Sequence, residues 1–161
     1  MSARRRLWGL GALACAALLG FGYYLQYAQG QEPCPLCLVQ RGFYYGLLVV
    51  FLAAAIHAPA RAGTMAYGVA AFALALGGAG VAGRQVWLQH LPPEQVPPCG
   101  PGLEYMLENL PLAQTLAKLF TGSGQCAEVT WRFLGLSIAG WSLAWFAGLA
   151  LYAGWLALRR R

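Results

Sequence analysis

Cys34-Pro35-Leu36-Cys37-Leu38-Val39-Gln40-Arg41 runs straight into Gly42-Phe43-Tyr44-Tyr45-Gly46-Leu47-Leu48-Val49-Val50-Phe51-Leu52-Ala53-Ala54-Ala55-Ile56-His57-Ala58-Pro59-Ala60. The second part carries no acidic or basic charge (His neutral) and approaches the roughly 20 apolar residues that cross a bilayer as a helix. Three other stretches are built the same way: Leu7 to Gln31, Ala62 to Gly83 and Phe133 to Leu158. Of the 161 residues, 59% are hydrophobic and 10% charged, whereas a soluble domain is about 25% charged. The reading is an all-α membrane protein, a single domain over residues 1–161 forming an antiparallel four-transmembrane-helix bundle. Its spans fall near residues 7–25, 42–58, 64–85 and 134–158.

Charge placement orients these spans. Arg4, Arg5 and Arg6 precede the first, Arg61 lies between the second and third, and Arg159, Arg160 and Arg161 close the chain. The positive-inside rule makes residues 1–6, 59–63 and 159–161 cytoplasmic, with both termini inside. The five acidic residues, Glu32, Glu94, Glu104, Glu108 and Glu128, fall in the two outer loops, near 26–41 and 86–133. The net charge of +6 is therefore an orientation signal and does not argue for a nucleic-acid partner. The Arg-rich, apolar opening also resembles a cleaved leader, but three further spans favour a retained anchor.

Against this topology the cysteines become informative. Cys15 lies mid-membrane in the first span and reads as a small packing residue. Cys34, Cys37, Cys99 and Cys126 all lie on the outward side, and an even set in an oxidising compartment reads as two disulfides. Thiols three residues apart recur in dithiol redox sites, where local positive potential lowers the thiol pKa. A helix beginning with the apolar run would put Cys37 near its N-terminus, where the dipole favours a thiolate. Arg41, four residues on, would share its face. Zinc sites use two close pairs and only one exists here. A c-type haem needs His where Leu38 stands.

The second outer loop begins with a Pro- and Gly-rich segment, Leu91 to Gly102, that excludes helix and strand pairing and would hold Cys99 outward. Leu112, Leu116, Leu119 and Phe120 then follow a helical period, with Gln114, Thr115 and Lys118 opposite. They predict a short interfacial helix. A Cys99–Cys126 bridge would close this exposed loop and be labile to exchange. Tyr23, Tyr24, Tyr27, Tyr44 and Tyr45 fit an interfacial aromatic belt, with the lining of a pocket for a flat ligand as the alternative. Small residues every four positions, at Ala12/Ala16/Gly20, Ala71/Ala75/Ala79/Gly83 and Gly140/Ala144/Gly148, suggest close helix packing in lipid. Arg84 reads as a solvated end residue; His90 reads either as another or as a donor to a quinone carbonyl.

With Pro33-Cys34-Pro35-Leu36-Cys37, Arg41, Arg84 and His90, and Cys126-Ala127-Glu128 followed by Trp131, Phe133-Leu134-Gly135-Leu136 and Trp141, the chain resembles the DsbB family of inner-membrane disulfide-bond oxidoreductases. The resemblance covers nearly the whole chain. It implies four spans in the bacterial inner membrane, outward redox cysteines, a bound ubiquinone or menaquinone, and a periplasmic DsbA-type thioredoxin-fold substrate. It further implies catalytic roles for Cys34, Cys37, Cys99 and Cys126, with Cys99 taking the mixed disulfide, and quinone contacts from Arg41 and His90. A DsbA-type partner is itself a strong oxidant, near about −120 mV, so an acceptor of higher potential is needed. The segment between Cys99 and Cys126 does not carry over a partner preference. A vitamin K epoxide reductase-like enzyme also combines a helical bundle, thiols and quinone, but its close cysteine pair sits near a late span. A disulfide-stapled membrane scaffold is the non-enzymatic alternative.

Overall fold

The computed structural model describes residues 3–99 and 103–159. Six helices are joined by two 3-10 turns and a small hairpin: α1 (Ala3–Ala28), α2 (Pro35–His57), α3 (Arg61–Leu88), a turn at Pro93–Gln95, α4 (Leu103–Asn109), α5 (Leu112–Thr121), a turn at Gly124–Cys126, β1 (Arg132–Phe133), β2 (Leu136–Ser137) and α6 (Ile138–Leu158). Helices α1, α2, α3 and α6 are each long and apolar enough to cross a membrane. The protein is a multi-pass, four-helix membrane bundle.

All four spanning helices start away from the expected bounds, and two of these differences shape the site. Helix α2 begins at Pro35, seven residues before the charge-free run. Cys34 is its extended N-cap, and the Cys34 sulfur accepts a hydrogen bond from the Cys37 amide at 3.4 Å. Proline suits the first helical position because its missing N–H has no intrahelical partner there. The two close cysteines thus form the first turn of a spanning helix. Helix α6 starts at Ile138, after a hairpin pairing Arg132 with Ser137 and Phe133 with Leu136. Its turn residues Leu134 and Gly135 have φ of 50° and 82°, the positive values that a tight two-residue hairpin needs. Ser137 then caps α6, its Oγ accepting from the Gly140 amide at 3.1 Å.

Packing of α3 on α6 and of α2 on α1 and α3 builds the core. On α3 the buried face runs Gly68, Ala71, Ala75, Gly78, Ala82. The steps alternate three and four, which keeps one face toward its partner. A Cβ at Gly78 would sit 2.3 Å from the Phe146 ring, and one at Gly68 would sit 2.5 Å from Ala157 Cβ. Glycine is what lets these backbones close. The expected stripe on α3 holds at Ala71 and Ala75 but not at Ala79 and Gly83, which are only half-buried, and the stripes on α1 and α6 fare worse. On α1 Ala12 is buried but Ala16 and Gly20 are exposed, and the packed residues are Trp8, Cys15 and Leu19. On α6 Ala144 and Gly148 are exposed, and Phe146, Leu149, Ala150 and Ala153 pack. At 3.6 residues per turn a strict four-residue stripe walks around the helix, so it drifts off any one contact. Cys15 is fully buried, as its position suggested.

In the second loop a short 3-10 turn interrupts the Pro-rich segment expected to be free of helix. Helix α5 forms where the periodicity placed it, with Leu112, Leu116 and Phe120 exposed. Its buried residue is Thr115, which the periodicity had put on the polar side. The Thr115 hydroxyl donates to the Met106 carbonyl at 3.0 Å, fastening α5 to α4.

Candidate functional site

One end of the bundle gathers three of the five cysteines. The Cys34 and Cys37 sulfurs are 2.9 Å apart, and all five cysteines are free thiols. Cys126 is fully buried and packs with Cys34, Leu36, Val81 and Leu88. The docking is local in origin. The 3-10 turn Gly124–Cys126 follows Gly122, whose φ of +80° ends α5 against Leu36 and Leu88. Thr130, a few residues on, donates to Gln31 Oε1 and ties this segment to the first loop.

Electrostatics at this cluster separate the two thiols. The Cys126 thiol is lowered from 9.0 to about 6, first by a hydrogen bond from Cys34; burial opposes this, and the Ser123 and Leu36 backbone amides add to the lowering. The Cys34 thiol is raised, first by that same bond to Cys126, then by the one to Cys37, then by burial. Cys34 is thus the thiol that keeps its proton, and Cys126 the one poised to lose it. The first-turn amides of α2 reinforce this, because the N-terminus of a helix favours negative charge. Cys99 is exposed, and its sulfur would lie 3.1 Å from a Cβ built at Gly124. The exposed thiol thus packs in space against Gly124, two residues before the buried Cys126.

A cavity of about 620 Å³ opens beside Cys34 and Cys37. Its apolar walls come from Leu18, Leu25 and Ile138, and its aromatic wall from Trp131, Phe133, Trp141 and Trp145. Trp131 stacks on Phe133 at 6.0 Å between ring centroids, and Trp141 Nε1 donates to the Phe133 carbonyl at 3.0 Å. Arg41 lines the cavity, but its guanidinium donates to Gln26 Oε1 at 2.5 Å and to the Gly22 carbonyl at 3.0 Å, and lies over the Tyr23 ring. The hydrogen bonds to the sulfurs come instead from Gln85, whose Nε2 is 3.3 Å from both Cys34 and Cys37 Sγ. Gln40 Nε2 donates to Gln85 Oε1 at 2.6 Å. Sequence reasoning passed over both glutamines. The signal was available, since a polar amide embedded in a spanning helix is costly and marks function by default.

Other expected residues fall in different places. His90 is exposed, bonds through Nδ1 to the Val86 carbonyl at 2.8 Å, and does not line the cavity. Its neighbour Gln89 does, and accepts from Ser137 Oγ at 2.7 Å. Arg84 caps α5 through the Thr121 carbonyl at 3.5 Å and lies over Trp87. Tyr44 is not part of an interfacial belt. It is buried, stacks on Phe146 at 4.1 Å and lines the cavity, because its position on α2 faces the bundle. Tyr23 and Tyr45 pair through their hydroxyls at 2.8 Å on the exposed side.

A family model described as "Disulfide bond formation protein DsbB" matches residues 4–156. The chain belongs to the DsbB family. It is 54% identical to Disulfide bond formation protein B of Methylococcus capsulatus over 144 residues, covering 89% of this chain and 88% of that protein. It is 51% identical to the protein of the same name from Hahella chejuensis, covering 97% and 94%. A DsbB-family chain is a disulfide bond formation protein, which implies a thiol–disulfide oxidoreductase role. The geometry of this DsbB-family member suits that role, with an exposed thiol, a buried low-pKa thiol and a vicinal pair in sequence along one path.

Proposed function

We propose that this protein reoxidises a periplasmic DsbA-type thiol oxidase and passes the electrons to a membrane quinone, ubiquinone or menaquinone. In this reading it sits in the bacterial inner membrane with both termini cytoplasmic, and the cysteine end of the bundle faces the periplasm. The observation that carries the reading is the meeting of Cys126 with Cys34 and Cys37 at the mouth of an aromatic-walled cavity.

The exchange steps follow from the sulfurs. The partner's thiolate attacks Cys99 in a Cys99–Cys126 disulfide; that bond breaks, a partner–Cys99 bond forms, and Cys126 leaves as a thiolate. The Ser123 and Leu36 backbone amides, which do not depend on a Cys34 proton, favour that departing thiolate. Cys126 then attacks Cys34 in a Cys34–Cys37 disulfide, and Cys37 leaves as a thiolate facing the cavity. The partner's second thiolate attacks its own sulfur in the partner–Cys99 bond, closing the partner's disulfide and releasing the Cys99 thiolate, which attacks Cys126, re-forms Cys99–Cys126 and frees Cys34. A quinone bound there supplies the two-electron acceptor.

The residues fit such a group. At about 620 Å³ the cavity is within the roughly 300–1,000 Å³ of small-molecule sites. Arg41 and Gln89 offer hydrogen bonds to ring oxygens, and Trp131, Phe133 and Trp141 offer flat apolar faces. Arg41 is held at the rim by Gln26 and Gly22, so its charge is oriented before a ligand arrives. The test is purified chain mixed with a reduced DsbA-type protein, with and without added quinone, following thiol loss. Oxidation only when quinone is present is the expected result, and no oxidation with quinone present refutes the proposal.

A further inference from the structure

We infer that Gln85, oriented by Gln40, is the group that receives the charge on Cys37 during sulfur exchange, through a neutral amide N–H. The inference rests on the relay reading above and deepens it. Gln40 and Gln85 are 5% and 4% exposed, so each amide hydrogen needs an acceptor within the protein. Gln85 Oε1 is taken by Gln40 Nε2 at 2.6 Å, which turns Gln85 Nε2 toward the sulfurs, 3.3 Å from each. Residues 37 and 40 lie one helical turn apart on α2, both facing α3. Arg41 points the other way, toward α1, where Gly22 and Gln26 hold it.

The amide serves both states of Cys37. As a thiol, Cys37 donates to Gln85 Oε1 at 3.6 Å; as a thiolate it accepts from Nε2 at 3.3 Å. In the exchange step the Cys126 thiolate attacks Cys34. A Cys126–Cys34 bond forms, the Cys34–Cys37 bond breaks, and its electron pair leaves on Cys37. No proton has to move, because an N–H already faces the departing sulfur. A charged donor in this apolar cluster would need its own counter-ion. A neutral amide fixed by a second amide needs none, and its effect does not titrate.

The experiment is alkylation of the fully reduced, purified protein by iodoacetamide across pH, read at each cysteine by peptide mass spectrometry. Exposed Cys99 is the internal reference. Gln85→Met, similar in volume but without the donor, should move the Cys37 midpoint upward by about one pH unit, roughly tenfold less thiolate at a given pH. Gln85→Glu, which keeps the shape and adds negative charge, should move it further. Gln40→Met should move it less, in the same direction. In turnover, Gln85→Met should lower kcat with the quinone KM unchanged. Midpoints for both Gln85 variants that match wild type overturn the inference, as does a slowing shared equally by Cys99. Neither quinone nor partner is present in the alkylation, so a failure of the relay reading appears separately, in the thiol-loss assay on wild type.

Discussion

Replacing Gly122 with alanine tests whether the docking of the second loop delivers Cys126 to Cys34. Gly122 has φ +80° and ψ 165°, a region that costs a non-glycine residue about 1–3 kcal/mol. Its added Cβ would also lie 2.8 Å from Leu88 Cδ1 and 2.9 Å from Leu36 Cδ1. Those are ends of flexible side chains, so they yield at about 1 kcal/mol, the low end for overpacking. Together the substitution should weaken docking by about 2–4 kcal/mol, a fall of roughly 30- to 1,000-fold in the docked-to-undocked ratio at 1.4 kcal/mol per decade. The assay is disulfide formation between Cys34 and Cys126, driven by a small disulfide, in a Cys37→Ser, Cys99→Ser chain. Gly135→Ala is the control. It has φ +82° with nothing within 4 Å of the added Cβ, and should leave closure within about twofold of wild type. Equal closure rates for Gly122→Ala and wild type would refute the idea that this glycine seats the loop.

Three further outcomes follow from the same site. Closure of Cys34–Cys126 should rise with pH about a midpoint near 6, because the lowered Cys126 pKa leaves the reactive thiolate present above that value and lost as pH falls through it. A midpoint near the ordinary thiol value would contradict this. Arg41→Lys should raise the quinone KM about tenfold in steady-state turnover, since one ammonium cannot reproduce the guanidinium fork between Gln26 and Gly22; the Cys37 alkylation profile should stay put. His90→Ala should change the quinone KM by less than about twofold, because the ring is exposed and bonds to Val86 away from the cavity; a tenfold rise would restore it as a ligand.

Particular residues show how far the chain could be read in advance. The four spans were legible because bilayer length and charge exclusion act on composition alone. The positions of Cys34 and Cys37 at the head of α2 were partly legible, since a cysteine N-cap followed by proline is a helix-start pattern, although the apolar run pointed to a later start. Helix α5 was legible from its period, but not which residue it buries. Thr115 turns inward only because the Met106 carbonyl is there to receive it. The hairpin before α6 left little trace, since two-residue strands carry no period.

The sequence by itself determined the bundle and the family, because each depends on local composition and spacing. Tertiary structure alone decided which sulfurs meet and what touches them. Cys126 reaches Cys34 across 92 positions, by way of a glycine turn resting on Leu36 and Leu88. Gln85 reaches both close thiols from a different helix. Such contacts depend on how helices are rotated against one another, and that rotation is set by the packed small residues of α3 and the aromatic rings they admit, not by any one segment.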